Sequence, residues 1–283
     1  MILLDFSPIS IAAIMVALKR DHEVLTPKLV LHMTLNSIRM YNVKFRKEFG
    51  EMIICCDAKE NWRKKAFPYY KANRKKSQKN SDVDWDVVYA GLNLVKEQIK
   101  EGFPYKIIEV DNSEADDIIG VLAKKSTIDN IDTIIISKDK DFFQLHSKYV
   151  CQFRPNSKHI IRYNDARYRL QEQILRGDKD DGIPNVKSDD DTFVNPDKRQ
   201  KKMMKADIPK MIAWDMMEFR AVGLDYNYSR NNLLIDLDNI PDYIIKDILN
   251  EFEIPVVKNK SKMVKFLMKH KLRYLHEKLN DFF

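Results

Sequence analysis

Glycine is scarce in this sequence. Seven occur among 283 residues, too few for glycine-rich loops to be the main phosphate-cradling device. Cysteine is scarcer still: Cys55, Cys56 and Cys151 offer no paired spacing for a disulfide framework. Cys55 and Cys56 lie in an apolar run and read as small core hydrophobes, and the expected setting is a reducing cytoplasm. The apolar run Ile9 to Leu18 falls short of the ~20 residues of a membrane span. Asp5 precedes it and no basic segment does, which argues against a signal peptide. No GxSxG, CxxC or HExxH pattern occurs, and the six histidines are scattered. Serine-nucleophile, dithiol and zinc-protease chemistries are thereby set aside.

What is present is charge, unevenly placed. The formal net charge is +7 with a pI near 9.0, which suits a polyanionic partner. Lys59 to Lys79 carries nine basic residues against Glu60, and Lys258 to Lys278 eight against Glu277. The remainder is net acidic. A hydrophobic content of 44% supports a substantial core.

The apolar runs alternate between strand-like and helix-like. Met1 to Phe6, Glu51 to Asp57, Tyr105 to Val110 and Ile131 to Ser137 read as buried strands. Val150 to Phe153 and His159 to Tyr163 read as an edge hairpin. Helices are expected over Ile9 to Lys19, Thr26-Pro27 to Phe49, Ser81 to Glu101 (stopped by Gly102) and Ser113 to Lys125. Further helices are expected over Asp165 to Leu175, Ile208 to Arg220, Pro241 to Phe252, Ser261 to His270 and Leu272 to Phe282, with Leu233 to Leu237 extended. Strand alternating with helix argues for an α/β fold: a mostly parallel central sheet with helices on both faces, plus a smaller helical C-terminal domain. The expected division is 1–164 and 165–283. The C-terminal basic run reads as the polar face of helices packed through Met263, Phe266, Leu267, Leu272 and Leu275.

In such sheets ligands bind outside the carboxyl ends of the strands. Asp5, Asp57, the set Glu114/Asp116/Asp117, and Asp139/Asp141 all fall there. Each alone is ordinary turn or cap chemistry. Ser113 with Asp116 even resembles a capping box. Four successive strands ending in acid are harder to explain that way. Two carboxylates ~4 Å apart repel by about 4 kcal/mol at an effective dielectric of 20, so the cluster needs cations. Oxygen-only ligands favour Mg²⁺ or Mn²⁺. The acids are too many for one Mg²⁺, and two metals roughly 3.5–4 Å apart clamp the attacking and leaving oxygens of phosphodiester hydrolysis. Beyond Asp57, the stretch Lys59 to Lys76 interleaves aromatics with cations, as nucleic-acid contacts do.

Together, LLDFS, CCDAK, WRKKAFPYYKANR, SEADDIIGVLAKK, IIISKDKDFFQLH, LRGDKDDGIPNVK and NNLLIDLDNIPDYI resemble the flap endonuclease/5′-nuclease family over nearly the whole chain. The resemblance implies a two-metal nuclease with 5′-to-3′ exonuclease, flap-endonuclease and ribonuclease H activity, removing RNA primers or 5′ flaps during DNA replication. It implies that Asp5, Asp57, Glu114, Asp116 and Asp139 hold the first metal. Asp141, Asp178 and Asp181 would serve the second, with Asp117 a further candidate or a cap. Helical spacing pairs Glu114 with Asp117, whereas the resemblance favours Glu114 and Asp116. Arg63 and Lys71 resemble arch residues that engage the scissile phosphate, and residues 59–80 the arch itself. Tyr70 is expected to stack on a terminal base, and Trp62, Lys64, Arg74, Lys75 and Lys76 to contact nucleic acid. Residues 176–187 resemble a helix-hairpin-helix variant gripping duplex backbone. Its glycine-poor Pro184 to Ser188 does not carry a K⁺ site with it, and Lys179 and Lys187 are expected to compensate. Substrates implied are RNA–DNA hybrids, nicked or gapped duplex and 5′-flap DNA. The chain is expected to be a monomer without a membrane partner. A sliding clamp or single-strand-binding protein fits such an activity, though no motif specifies one. The rival readings are a non-catalytic DNA-junction binder and an acidic-cluster ribonuclease for single strands.

Overall fold

The computed structural model describes residues 1–20, 22–72 and 82–283. At its centre is a six-stranded sheet in the order β3-β2-β1-β4-β5-β6. The strands are β1 (Ile2–Asp5), β2 (Met52–Cys55), β3 (Lys106–Ile108), β4 (Thr133–Ile136), β5 (Val150–Arg154) and β6 (His159–Ile161). The first five run parallel, and β6 returns antiparallel to β5.

Parallel strands buried on both faces must be apolar throughout, and β1, β2 and β4 are fully buried. Their alternation sorts them into two cores. Ile2, Leu4, Ile54, Ile134 and Ile136 face one side, and Leu3, Ile53, Cys55 and Ile135 the other. The helices Phe6–Arg20, Pro27–Phe49, Trp85–Gly102 and Lys260–Lys269 cover the first side. Ala115–Ile128 and Asp242–Glu253 cover the second. The expected α/β architecture is thus borne out.

Local signals decide where helices begin. Thr26 caps the helix Pro27–Phe49, accepting from Leu29 N at 3.1 Å, and Gly50 ends it at φ 83°. Three expectations are corrected. The helix expected from Ser81 begins at Trp85, capped by Asp84, and includes Gly102. The span Ile208 to Arg220 is two helices, Asp207–Ile212 and Met216–Ala221, because Asp215 and Glu218 form a capping box that starts the second one afresh. Leu233 to Leu237 is not extended: Asp225–Ile235 is a helix, followed by a 3-10 turn at Leu237–Asn239. That helix is rich in Asn, Asp and Ser, whose weak propensity hides it; its buried residues are Arg230, Asn231, Leu234 and Ile235.

The C-terminal segment returns to the sheet. Met263, Phe266, Leu267, Leu272, Leu275 and Phe282 enter the same core as Ile2 and Leu4. Arg39 pairs with Asp281, and Asn42 donates to the Asp281 carbonyl at 2.9 Å. Among the described residues no helix is long and apolar enough to cross a membrane.

Candidate active site

From β1 the chain winds outward through β2 to β3, then crosses back to lay β4 on the other side of β1. This reversal opens a crevice at the carboxyl ends of the central strands. Asp5 is the last residue of β1. Its Oδ2 accepts from Ser137 Oγ at 2.7 Å, Ser137 Oγ accepts from Asp139 N at 3.0 Å, and Asp139 Oδ1 accepts from Asp141 N at 3.0 Å. The end of β4 is therefore folded onto the end of β1. Gln152 of β5 secures the bend, donating to the carbonyls of Ser137 at 2.9 Å and Asp139 at 2.6 Å.

Asp57, beyond β2, accepts from Ala115 N at 3.0 Å and so holds the start of the helix Ala115–Ile128. That helix is capped by Glu114 with Asp117, not Ser113 with Asp116. Ser113 Oγ instead donates to the Val110 carbonyl at 2.7 Å. Asp117 Oδ2 accepts from Glu114 N at 2.9 Å and Trp62 Nε1 at 3.2 Å, and its Oδ1 lies 2.8 Å from Arg63 Nη2. The Asp117 carboxylate is thus engaged as a cap and ion-pair partner.

A second layer closes over these acids. Arg63, 2% exposed, sets Nη1 3.2 Å from Glu114 and donates Nε to the Leu234 carbonyl at 2.9 Å. Lys71 Nζ lies 2.5 Å from Glu114 Oε1 and 3.4 Å from Asp181 Oδ2. The Tyr70 hydroxyl lies 2.9 Å from both Glu114 Oε2 and Asp181 Oδ2. Asp181 belongs to a tight hairpin in which Asp178 and Ile183 exchange backbone hydrogen bonds at 2.8 and 2.7 Å. Gly182, at φ +74°, lets this hairpin reach Tyr69 to Lys71; a Cβ there would stand 2.8 Å from the Tyr69 carbonyl oxygen. Lys71 N completes the junction by donating to the Asp181 carbonyl at 2.8 Å. Behind the hairpin, Asn231 donates to the carbonyls of Ile174 at 2.7 Å and Pro184 at 2.9 Å. Arg230 also donates to the Pro184 carbonyl.

The electrostatics divide the acids into two groups. Glu114 is buried, which favours its neutral form, yet Lys71 and Arg63 hold its pKa below the usual value. Arg63 would lose basicity by burial, but Asp117, Tyr70 and Glu114 keep it firmly protonated. Asp5 is pushed up to about 7, first by burial and then by Asp57 and Asp139. Burial likewise raises Asp116 and Asp141 well above the carboxylate range, and Asp139 beside each adds repulsion. A crowd of oxygen donors short of positive charge is the chemistry a hard divalent ion satisfies. Asp5, Asp116, Asp139 and Asp141 fit such an ion in kind. Among the described residues no group of three or more His, Cys, Asp or Glu side chains is arranged so that it could hold a metal ion.

Of the anticipated acids, Asp57, Asp139, Asp141, Asp178 and Asp181 line one cleft; Asp5 and Asp116 lie near enough to Asp139 to feel its charge, and Glu114 is tied through Lys71 to Asp181. Other expectations change in place. Arg63, Tyr70 and Trp62 are buried (2%, 3% and 6% exposed) within the cluster's frame. Tyr70 therefore offers no open face for stacking on a base, because its hydroxyl is drawn into the acids. Lys64 and Lys179 are exposed. Lys187 is paired with Asp207 at 2.7 Å. Arg74, Lys75 and Lys76 lie outside the described residues. After the hairpin the next helix begins only at Asp207. Sequence reasoning missed Ser137, which links Asp5 to Asp139, and Gln173, which donates to Asp141. Ser137's position at the end of β4 was an available signal; Gln173 carried none.

The family model described as “5'-3' exonuclease, N-terminal resolvase-like domain” matches residues 18–173, and “T4 RNase H, C terminal” matches 165–282. The chain belongs to the 5′-3′ exonuclease family. Ribonuclease H of enterobacteria phage T4 is 33% identical over 292 aligned residues, covering 99% of this chain and 95% of that protein. DNA polymerase I of Borreliella burgdorferi is 30% identical over 48% of this chain, which spans only 15% of that longer protein. Solved structures that share the fold of this family member include the following two. The bacteriophage T5 D15 flap endonuclease, in a complex with DNA and metal ions, aligns at a TM-score of 0.62 and 16% identity, covering 89% of this chain and 99% of that one. The catalytic core of Rad2 with DNA substrate aligns at 0.51 and 13% identity, covering 99% and 90%. The resemblance read from the sequence is borne out, and the chain is a nuclease of the 5′-3′ exonuclease family.

Proposed function

We propose that this chain removes RNA primers and 5′ flaps during DNA replication, cutting phosphodiesters of RNA–DNA hybrids, nicked or gapped duplex and 5′-flap DNA by two-metal hydrolysis. The observation that carries this reading is the acid crowd at the switch point, with Asp5, Asp116 and Asp141 short of counter-charge.

Two bound Mg²⁺ or Mn²⁺ ions would supply an activated water and stabilise the leaving 3′ oxygen. In this reading Asp5, Asp57, Asp116 and Asp139 hold one ion, with Glu114 at its edge. Asp141, Asp178 and Asp181 serve the other. Ser137 orients Asp5 and Asp139 against each other. Arg63 positions Glu114 and Asp117 from inside the fold. Lys71 is a cation at the acids placed to meet the scissile phosphate. Asp117 holds the helix start and contributes no metal bond. The turn at 178–187 meets duplex backbone through exposed Lys179 and through Lys187. Such shape-based contacts give structure selectivity without base readout. A sliding clamp or single-strand-binding protein is the class of partner this role brings with it.

The test is cleavage of a 5′-labelled flap and of an RNA primer annealed to DNA, with Mg²⁺ and with chelator. Release of short 5′ products from both, lost on chelation, is expected. Uncut substrates that remain bound would instead favour the junction-binding alternative.

A further inference from the structure

His146 is a buried histidine for which the two-metal chemistry has no use. It closes the 3-10 helix Asp141–Leu145, which follows directly on the acidic turn after β4, and it is 6% exposed. Its ring stacks on Tyr163, beyond β6, with centroids 5.5 Å apart and planes at 20°, and lies 5.6 Å from the Phe143 ring. Tyr163 N donates to its Nδ1 at 3.1 Å. Burial pushes the ring down to about 4, Gln152 opposes that by accepting from it, and Arg162 and Arg169 add to the lowering. The ring is therefore neutral at ordinary pH and has one N–H to place. Nδ1 already accepts from Tyr163, so the proton belongs on Nε2.

Gln152, wholly buried on β5, is oriented from its other side. The carbonyls of Ser137 and Asp139, at 2.9 and 2.6 Å, both need a donor, so its Nε2 must face them. Its Oε1 then points away from the turn. Neither Gln152 Oε1 nor His146 Nε2 is satisfied by any other group among the described residues. A buried acceptor and a buried donor are costly apart and complementary together. Were the amide reversed, an oxygen would face the two carbonyls, and the hold on Ser137 and Asp139 would be lost. Those two residues are the ones that tie Asp5 and Asp141 to the turn.

We propose that His146 is a positioning residue: its Nε2–H holds Gln152 Oε1, fixes which way the amide points, and so keeps the Ser137–Asp141 turn folded onto Asp5. The inference rests on the 5′-nuclease reading and deepens it. His146 acts through Gln152 and not on the reacting phosphate. Partners behind metal ligands of this kind are worth roughly 10–100-fold in metal affinity or activity.

Two amide substitutions separate the two ring nitrogens. His146→Asn can keep an acceptor near Nδ1 but loses the donor at Nε2, and His146→Gln can return a donor there. The Mg²⁺ concentration for half-maximal flap cleavage should rise about tenfold in His146→Asn and stay within about threefold of wild type in His146→Gln. KM for the flap should move less than about twofold in either. Gln152→Leu should raise the Mg²⁺ requirement likewise, and adding His146→Asn to it should change nothing more. Additive effects, equal effects of the two amides, or a shift in KM in place of the Mg²⁺ requirement overturns the proposal. If the variants fail to fold, the metal-free wild type decides, with its histidine rings isotope-labelled for NMR. A His146 proton on Nε2 that is protected from exchange with water supports the contact; a proton on Nδ1, or one that exchanges freely, overturns it. A wild-type enzyme that cuts neither flap nor hybrid at any Mg²⁺ concentration defeats the nuclease reading, while the ring proton still decides the His146–Gln152 contact. Cutting with an unchanged Mg²⁺ requirement in His146→Asn defeats the positioning role alone.

Discussion

Asp5→Asn should stabilise the metal-free protein while destroying its activity. Asp5 is 3% exposed and its pKa is raised from 3.8 to about 7 by burial and by the neighbouring Asp57 and Asp139. The folded state therefore holds this proton more tightly than the unfolded chain does. Between the two pKa values the folded state binds more protons, so stability falls as pH rises. The stabilising contribution is fully present below pH ~4 and is lost as pH passes through about 7. That gap, at 1.36 kcal/mol per pH unit, is worth roughly 4 kcal/mol. Asparagine is neutral at every pH and can still accept from Ser137 Oγ through its carbonyl oxygen. In chelator at pH 8 the variant should unfold at higher denaturant, by up to about 4 kcal/mol. At pH 4 it should match wild type to within ~0.5 kcal/mol. Thermal midpoints should diverge likewise, at about 2–4 °C per kcal/mol for a chain of this size. Mg²⁺ should close the gap by stabilising wild type alone. A variant no more stable than wild type at pH 8, or a difference that ignores pH, would refute the reasoning.

Three other outcomes follow from the same geometry. Arg63→Ala leaves Glu114 and Asp117 buried beside an empty space and should cost ~3–5 kcal/mol in urea unfolding; a loss under 1 kcal/mol would mean the pairs are not buried as described. Asn231→Ala removes the side-chain donor to the Ile174 carbonyl and one of two to the Pro184 carbonyl, and should cost about 1–3 kcal/mol. It should also raise KM for flap DNA, and a stability loss with unchanged KM would detach the 178–187 turn from duplex binding. Lys71→Ala should lower kcat by roughly 10²-fold, while Lys64→Ala, on the surface, should change it less than about twofold; equal effects would remove Lys71 from the chemistry.

Much of the scaffold was legible because parallel strands and capped helices write themselves into sequence. The apolar runs ending at Asp5, Asp57 and Ser137 announced the sheet. The rule that ligands sit at carboxyl ends then gathered the acids. Less legible was anything set by distant packing. Asp225–Ile235 reads as polar and irregular, yet Asn231 and Arg230 are buried against the Pro184 carbonyl, a partner far away in sequence. Arg63 and Tyr70 lie in a stretch whose charge suggests a surface arm. Their burial depends on Glu114 and Asp181, which lie 51 and 111 residues further on. The cap was misplaced by one residue because Ser113 and Glu114 are both able caps, and Trp62 and Arg63 select the Glu114–Asp117 register.

The central claim is that the strand-end acids cut nucleic acid rather than merely hold it. Asp139→Asn separates the two most directly, with flap binding and Mg²⁺-dependent cleavage measured on the same preparation. Binding should stay within about twofold of wild type while cleavage falls by at least ~10³-fold. A variant that cuts at the wild-type rate, or one that loses binding and cleavage in parallel, would contradict it.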